Sequence, residues 1–199
     1  MLPMPAHPFA TPLLALLALT VSASCRLAAP PAAGPAPGMT IAPPAYAKEL
    51  LDAHNRHRAE VGAPALVWDD RLASYAQAWA DRLAKRPGQL QHRSGKDAKE
   101  GYGENLAYRW WSGTRPAHYT TAAVVAQWGD EKKFFQPAKP YPDCCRGGEC
   151  GHYTQMVWAK TQRLGCGMAQ YDHKGGKGEV WVCNYDPAGN WVGQPPTAK

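Results

Sequence analysis

The side chains able to do chemistry in this chain are concentrated in a few places. His152 follows Cys150-Gly151 and precedes Tyr153-Thr154-Gln155-Met156-Val157-Trp158. The alternation of those residues predicts a strand packed on both faces, with His152 at its entrance. A rigid element starting there can aim an imidazole into a cleft, as a base, a metal ligand or a hydrogen-bonding residue. Glu131 shares a helical face with Val124 and Trp128, an unusual setting for an acid, so a cation, a basic residue or a metal is expected opposite it. Glu104 directly follows Gly103, and His92 sits in a polar loop. His54 and His57 could share a metal from one helical face, but no acid or third histidine completes the set nearby, and the pair is read as packing and hydrogen bonding.

These residues need a scaffold, and the hydrophobic periodicity supplies one. A first helix is expected over Tyr46–Val61, closed by Gly62. Pro64–Trp68 reads as an extended connector, after which Asp69 caps a second helix with the apolar stripe Leu72, Tyr75, Ala76, Trp79, Ala80 and Leu83. Gln89–Tyr102 is a loop. A third helix is expected over about Thr120–Lys133, followed by a Pro-rich connector over Phe134–Gly148. Leu164–Gln170 and Glu179–Tyr185 alternate as two strands of a hairpin through His173–Gly178. Gln194 onward is expected to fray. Tyr108, Trp110, Trp111 and Tyr119 either line a lipid groove or belong to the core.

The ends differ from the middle. Leu13–Val21 is an apolar run too short to span a bilayer and reads as a signal-peptide core within residues 1–24. Cys25 stands where a bacterial lipoprotein signal places its lipidated cysteine, with cleavage after Ala23 as the competing outcome. An Ala/Pro-rich tether follows over 25–44. The 199 residues, 45% hydrophobic with eight Trp and nine Tyr, support one globular domain. The net charge of +6 is scattered, not striped, and favours acidic surfaces while pointing to no nucleic acid. In an exported chain Cys144, Cys145, Cys150, Cys166 and Cys183 form a disulfide set with one left over. Cys166 and Cys183 are equidistant from the centre of the hairpin loop and are expected to pair.

Several separated strings then agree with one family. His54-Asn55-x-x-Arg58, Gly103-Glu104-Asn105-Leu106, Trp128-x-x-Glu131, Gly151-His152-Tyr153-Thr154-Gln155-x-Val157-Trp158, Gly165-Cys166 and Val182-Cys183-Asn184-Tyr185-x-Pro187-x-Gly189-Asn190 resemble the CAP superfamily, which comprises the cysteine-rich secretory, antigen 5 and pathogenesis-related 1 proteins. The plant pathogenesis-related 1 branch is the most similar, and the resemblance covers 45–194, leaving 195–199 as a tail. It implies an α+β fold, a three-layer α-β-α sandwich around a central antiparallel sheet. It also implies a cleft lined by His92, Glu104, Glu131 and His152. Arg93 intervenes before Ser94-Gly95 where the family has His followed directly by Ser and Gly, which bears on the register of His92 and Ser94. A further implication is the pairing of Cys144 with Cys150, leaving Cys145 free.

Two imidazoles and two carboxylates make a plausible zinc site, or a magnesium or calcium site if waters complete the shell, and also a self-satisfied ionic network. A bound ion should leave in acid, because only neutral imidazole is a ligand. The resemblance implies a secreted or Cys25-anchored, non-enzymatic module that binds lipid, sterol or an anionic cell-surface component. The alternative is a hydrolase with Ser94 as nucleophile beside His92 and Glu104, or with a metal-held water.

Overall fold

The computed structural model describes residues 44–198. The expected signal peptide, the Cys25 anchor and all but the last residue of the tether lie outside them. Four helices and four strands follow in the order α1 (Ala47–Glu60), β1 (Val67–Trp68), α2 (Asp70–Ala84), β2 (Gly103–Trp111), α3 (Thr121–Gly129), α4 (Gly151–Met156), β3 (Arg163–His173) and β4 (Gly176–Asp186). Short 3₁₀ turns at Gly95–Ala98 and Asp130–Phe134 precede β2 and follow α3.

The sheet order is β1-β3-β4-β2. β3, β4 and β2 are antiparallel, and the two-residue β1 runs parallel to β3, so the sheet is mixed at one edge. Side chains alternate across it. On β4, Trp181, Cys183 and Tyr185 face Leu50, Val124, Trp128 and Met156 of α1, α3 and α4, whereas Val180 and Val182 face Ala76, Trp79 and Leu83 of α2. That is an α-β-α sandwich. Its layers sit close because β3 has glycine where α2 crosses: a Cβ on Gly165 or Gly167 would lie nearer than 3.0 Å to the α2 backbone at Leu72–Ala73 or Ala76–Gln77.

Local signals account for much of this. Asp69 Oδ1 accepts the N–H groups of Arg71 (2.8 Å) and Leu72 (3.0 Å), capping α2 as expected. The hairpin turns on Lys174 and Gly175, both at positive φ, the signature of a two-residue turn matching strand twist. The resulting register puts Cys166 opposite Cys183, and they are bonded.

Three expectations are corrected, and one strand was not foreseen. Gly151–Met156 is a helix, not a strand: Tyr153 to Trp158 are all buried, so period 2 and period 3.6 leave the same apolar trace. β2 carries no strand signal because its pattern is inverted, with Arg109 buried while Tyr108 (55% exposed) and Trp110 (41%) face outward. Cys145, not Cys144, is bonded to Cys150, and Cys144 is the free cysteine among the described residues. Residues 194–197 do not fray: the Pro196 carbonyl accepts the Ala159 N–H (2.7 Å), the Gln194 carbonyl accepts that of Tyr141 (2.9 Å), and Thr197 is buried.

Candidate functional site

The cleft opens where the start of β2, the loop after α2, and the start of α4 meet, with a volume of about 490 Å³. His92, Glu104 and His152 line it, with Tyr141, Glu149 and Asn190 around them. Glu131 is not on its wall but behind it, against His152.

Each histidine is held by one acid. His92 Nδ1–H donates to Glu104 Oε1 at 2.9 Å, and the Arg93 backbone N–H donates to the same oxygen at 3.1 Å. His152 Nδ1–H donates to Glu131 Oε1 at 2.6 Å. The other oxygen of Glu131 accepts the backbone N–H groups of His152 (2.9 Å) and Tyr153 (3.1 Å), so this carboxylate caps α4 while orienting the imidazole. Glu131, expected on the helical face of Val124 and Trp128, lies instead in the 3₁₀ turn Asp130–Phe134 just after α3, and His152 is its partner. The indole of Trp128 stacks on His152 with planes 12° apart.

A carboxylate on Nδ1 fixes the tautomer whose Nε2 lone pair is available, and it raises that nitrogen's basicity toward a metal. Neither Nε2 makes a hydrogen bond among the described residues. The four residues thus stand as two His–Glu pairs, each carboxylate on the Nδ1 side of its imidazole. Among the described residues, no three ligand atoms from these four side chains lie within 4.8 Å of one another. The one such group is Cys144, Cys145 and Cys150, of which two share a disulfide and supply no thiolate.

Two participants were not legible beforehand. Arg93, the residue inserted before Ser94, turns inward, stacks on Tyr75 (3.6 Å to the ring centroid) and reaches Glu104 Oε2 at 3.4 Å. At that length the contact is Coulombic, not a hydrogen bond, and burial pulls the Arg93 pKa down. Asn105 donates from Nδ2 to the His152 carbonyl (3.0 Å) and to the Tyr185 hydroxyl (3.1 Å). Tyr185 in turn donates to His54 Nε2 (2.9 Å), whose Nδ1–H bonds the Leu50 carbonyl. His54 is thereby a fully satisfied core residue. His57 packs on Gly129, with Glu60 Oε2 3.9 Å from its Nδ1. Ser94 precedes the 3₁₀ turn and makes no side-chain hydrogen bond to His92 or Glu104, so the contact that would activate it is not made.

An α-β-α sandwich whose cleft is built from two carboxylate-held histidines defines a class, and the comparisons give it a name. Residues 51–185 match CAP, the cysteine-rich secretory protein family, and the chain belongs to it. It is 42% identical over 149 residues to pathogenesis-related protein 1C of Nicotiana tabacum, covering 75% of this chain and 79% of that one. Venom allergen 5 of Polybia scutellaris rioplatensis is 35% identical, over 74% and 76% of the two chains. Among solved structures, BmVAL-1 shares the fold at TM-score 0.61 and 24% identity, covering 81% of this chain and 85% of that one. NaASP2, solved with Zn²⁺, matches at TM-score 0.57 and 25% identity, over 76% and 84%. No helix among the described residues is long and apolar enough to cross a membrane.

Proposed function

We propose that the chain is an exported, non-enzymatic CAP module whose cleft holds a divalent cation through His92 and His152. The carrying observation is the pairing of each Nδ1 with a carboxylate, which leaves Nε2 of both rings as the ligand atoms. Two imidazoles favour zinc over magnesium or calcium, which prefer all-oxygen shells. A zinc-containing relative of the same fold supports this reading. A bound ion would supply positive charge at the cleft wall. The residues' own part is to present two neutral imidazoles in fixed orientation.

Zinc titration calorimetry tests the proposal. His152→Ala is expected to lose binding, Glu131→Gln to weaken it by roughly 10–100-fold, and the surface variant His118→Ala to match the parent. Equal binding by parent and His152→Ala overturns it. The Ser94 hydrolase has no contact in its favour.

The lipid, sterol or anionic-surface partner finds support further along β2. There Leu83, Arg86, Gln89, Leu90, Tyr108 and Tyr171 line a hollow of about 220 Å³ with mixed apolar and polar walls. Of the four aromatics noted in the sequence, Tyr108 and Trp110 are exposed, Tyr119 is partly exposed and Trp111 is buried, so Trp111 is the one withdrawn from a ligand. Tyr108→Ser should weaken retention on anionic vesicles or sterol if this surface is used, and unchanged retention removes it. Export through Leu13–Val21, with cleavage or lipidation at Cys25, belongs to the same proposal and is read by intact-mass spectrometry of the mature protein.

A further inference from the structure

Three sulfur atoms meet at one wall of the cleft. Cys145 and Cys150 are joined, Cys144 is the free cysteine among the described residues, and the three sulfurs lie within 4.8 Å of one another. Their surroundings differ. Cys144 and Cys150 are wholly buried, whereas Cys145 is partly exposed and lines the cleft near His152. The backbone here is pinned: the Pro140 carbonyl accepts the Cys144 N–H (2.8 Å), the Pro142 carbonyl accepts that of Cys145 (2.9 Å), and the Cys144 carbonyl accepts that of Gln136 (2.8 Å). Exchange of partners between sulfurs this close calls for side-chain rotation, not for rebuilding the loop.

We propose that this trio is a thiol–disulfide exchange site that hands the free thiol from buried Cys144 to Cys145 on the cleft wall, where it becomes a modification site for soft, thiol-reactive ligands. The Cys144 thiol gives its proton to water, and the thiolate attacks Cys150 Sγ. The Cys144–Cys150 bond forms as the Cys145–Cys150 bond breaks, and the departing Cys145 thiolate takes up a proton. One disulfide and one thiol stand on each side, so no oxidant or reductant is consumed. Attack on Cys145 instead would join adjacent residues, whose Cα atoms are about 3.8 Å apart across a trans peptide. Disulfides usually span about 4.4–6.8 Å, which makes Cys150 the productive target. Burial, with a smaller contribution from Asp143, pushes the Cys144 thiol up, which keeps the thiolate scarce and the exchange slow.

The test incubates the oxidised protein near pH 8 with excess N-ethylmaleimide and no reductant, and label at any other position is told apart by the fragment that carries it. Acid quenching, proteolysis and fragment-ion mass spectrometry then locate the slow label. The expected result is label on Cys145 with a Cys144–Cys150 bond, and a drop of about tenfold or more in that labelling rate in Cys144→Ser, which lacks the internal attacker. Label on Cys144 with Cys145–Cys150 intact, or no label on either, overturns the proposal. Cys145→Ser provides a second reading: it should fold with Cys144 bonded to Cys150, and recovery of those two as free thiols in the folded variant counts equally against the exchange.

Discussion

His54 illustrates how much a single side chain can contribute to pH sensitivity in this molecule. It is completely buried, and desolvation pushes its pKa down from the usual 6.5 to about 4, despite the favourable hydrogen bond to the Leu50 carbonyl. The folded state therefore refuses a proton that the unfolded chain accepts between those two values. Above about pH 6.5 both states are neutral and the stability is intact; as pH falls through this window it is lost, by about 3 kcal/mol once pH 4 is reached. Denaturant unfolding at pH 7 and pH 4.5 should show this loss, and His54→Gln, although less stable at pH 7, should show a shallower pH slope. Identical slopes in parent and variant would place the acid sensitivity elsewhere. The residue matters to the cleft as well, because Tyr185 and Asn105 connect its imidazole to the His152 carbonyl by consecutive hydrogen bonds.

Elements are joined here by polar side chains as much as by apolar stripes. Arg58 of α1 is buried without a carboxylate partner and is satisfied by carbonyls: Pro64 through Nε (2.6 Å), Met156 and Trp158 through one terminal nitrogen (2.9 Å each) and Thr161 through the other (2.9 Å). Desolvation brings its pKa down to about 10, which leaves it charged at neutral pH, and the positive charge sits at the C-terminal end of α4. Lysine cannot reproduce this fork, so Arg58→Lys should strand buried carbonyls and cost on the order of 3 kcal/mol in chemical denaturation. A cost below about 1 kcal/mol would mean that water or a relaxed backbone replaces the lost bonds. The same feature explains what the sequence concealed. α2 and the β3–β4 hairpin were legible because each buries one face and exposes the other, and because Asp69 and Lys174-Gly175 carry their own local signals. α4 was not, since neighbours surround it and its N-terminus is capped by Glu131, twenty residues upstream of its first helical residue. β2 was hidden because Arg109 points inward to Glu179, a tertiary ion pair that reverses the expected polarity. At the cleft, the residue types of both His–Glu pairs were readable, but Arg93 and Asn105 act through contacts that only the fold creates.

At the scale of the whole molecule, the cleft is a property of the layers. His92 and Glu104 belong to the α2 side: Trp79 Nε1–H bonds the Gln91 carbonyl (3.0 Å), the Tyr75 hydroxyl bonds the Asp97 carbonyl (2.7 Å), and Arg93 bonds the Tyr75 carbonyl. His152 and Glu131 belong to the opposite layer, where Trp128 and Tyr153 join the core formed with α1. The distance between the two pairs is therefore governed by how closely α2 approaches the sheet, and Gly165 and Gly167 allow that approach. A methyl group at Gly167 would press on the α2 backbone, which cannot yield as a flexible side-chain tip can, so Gly167→Ala should cost roughly 1–3 kcal/mol. Its effect should also be lopsided. Hydrogen-exchange mass spectrometry is expected to show faster exchange in α2 and in residues 91–98, with α4 unchanged, because Glu131, Asn190 and Arg58 hold α4 independently of α2. Zinc affinity should fall in the same variant, since one of the two imidazoles is carried by the displaced layer. Uniform loss of protection across both layers, or unchanged exchange at 91–98, would show that the two halves of the cleft are not set by the α2–sheet contact.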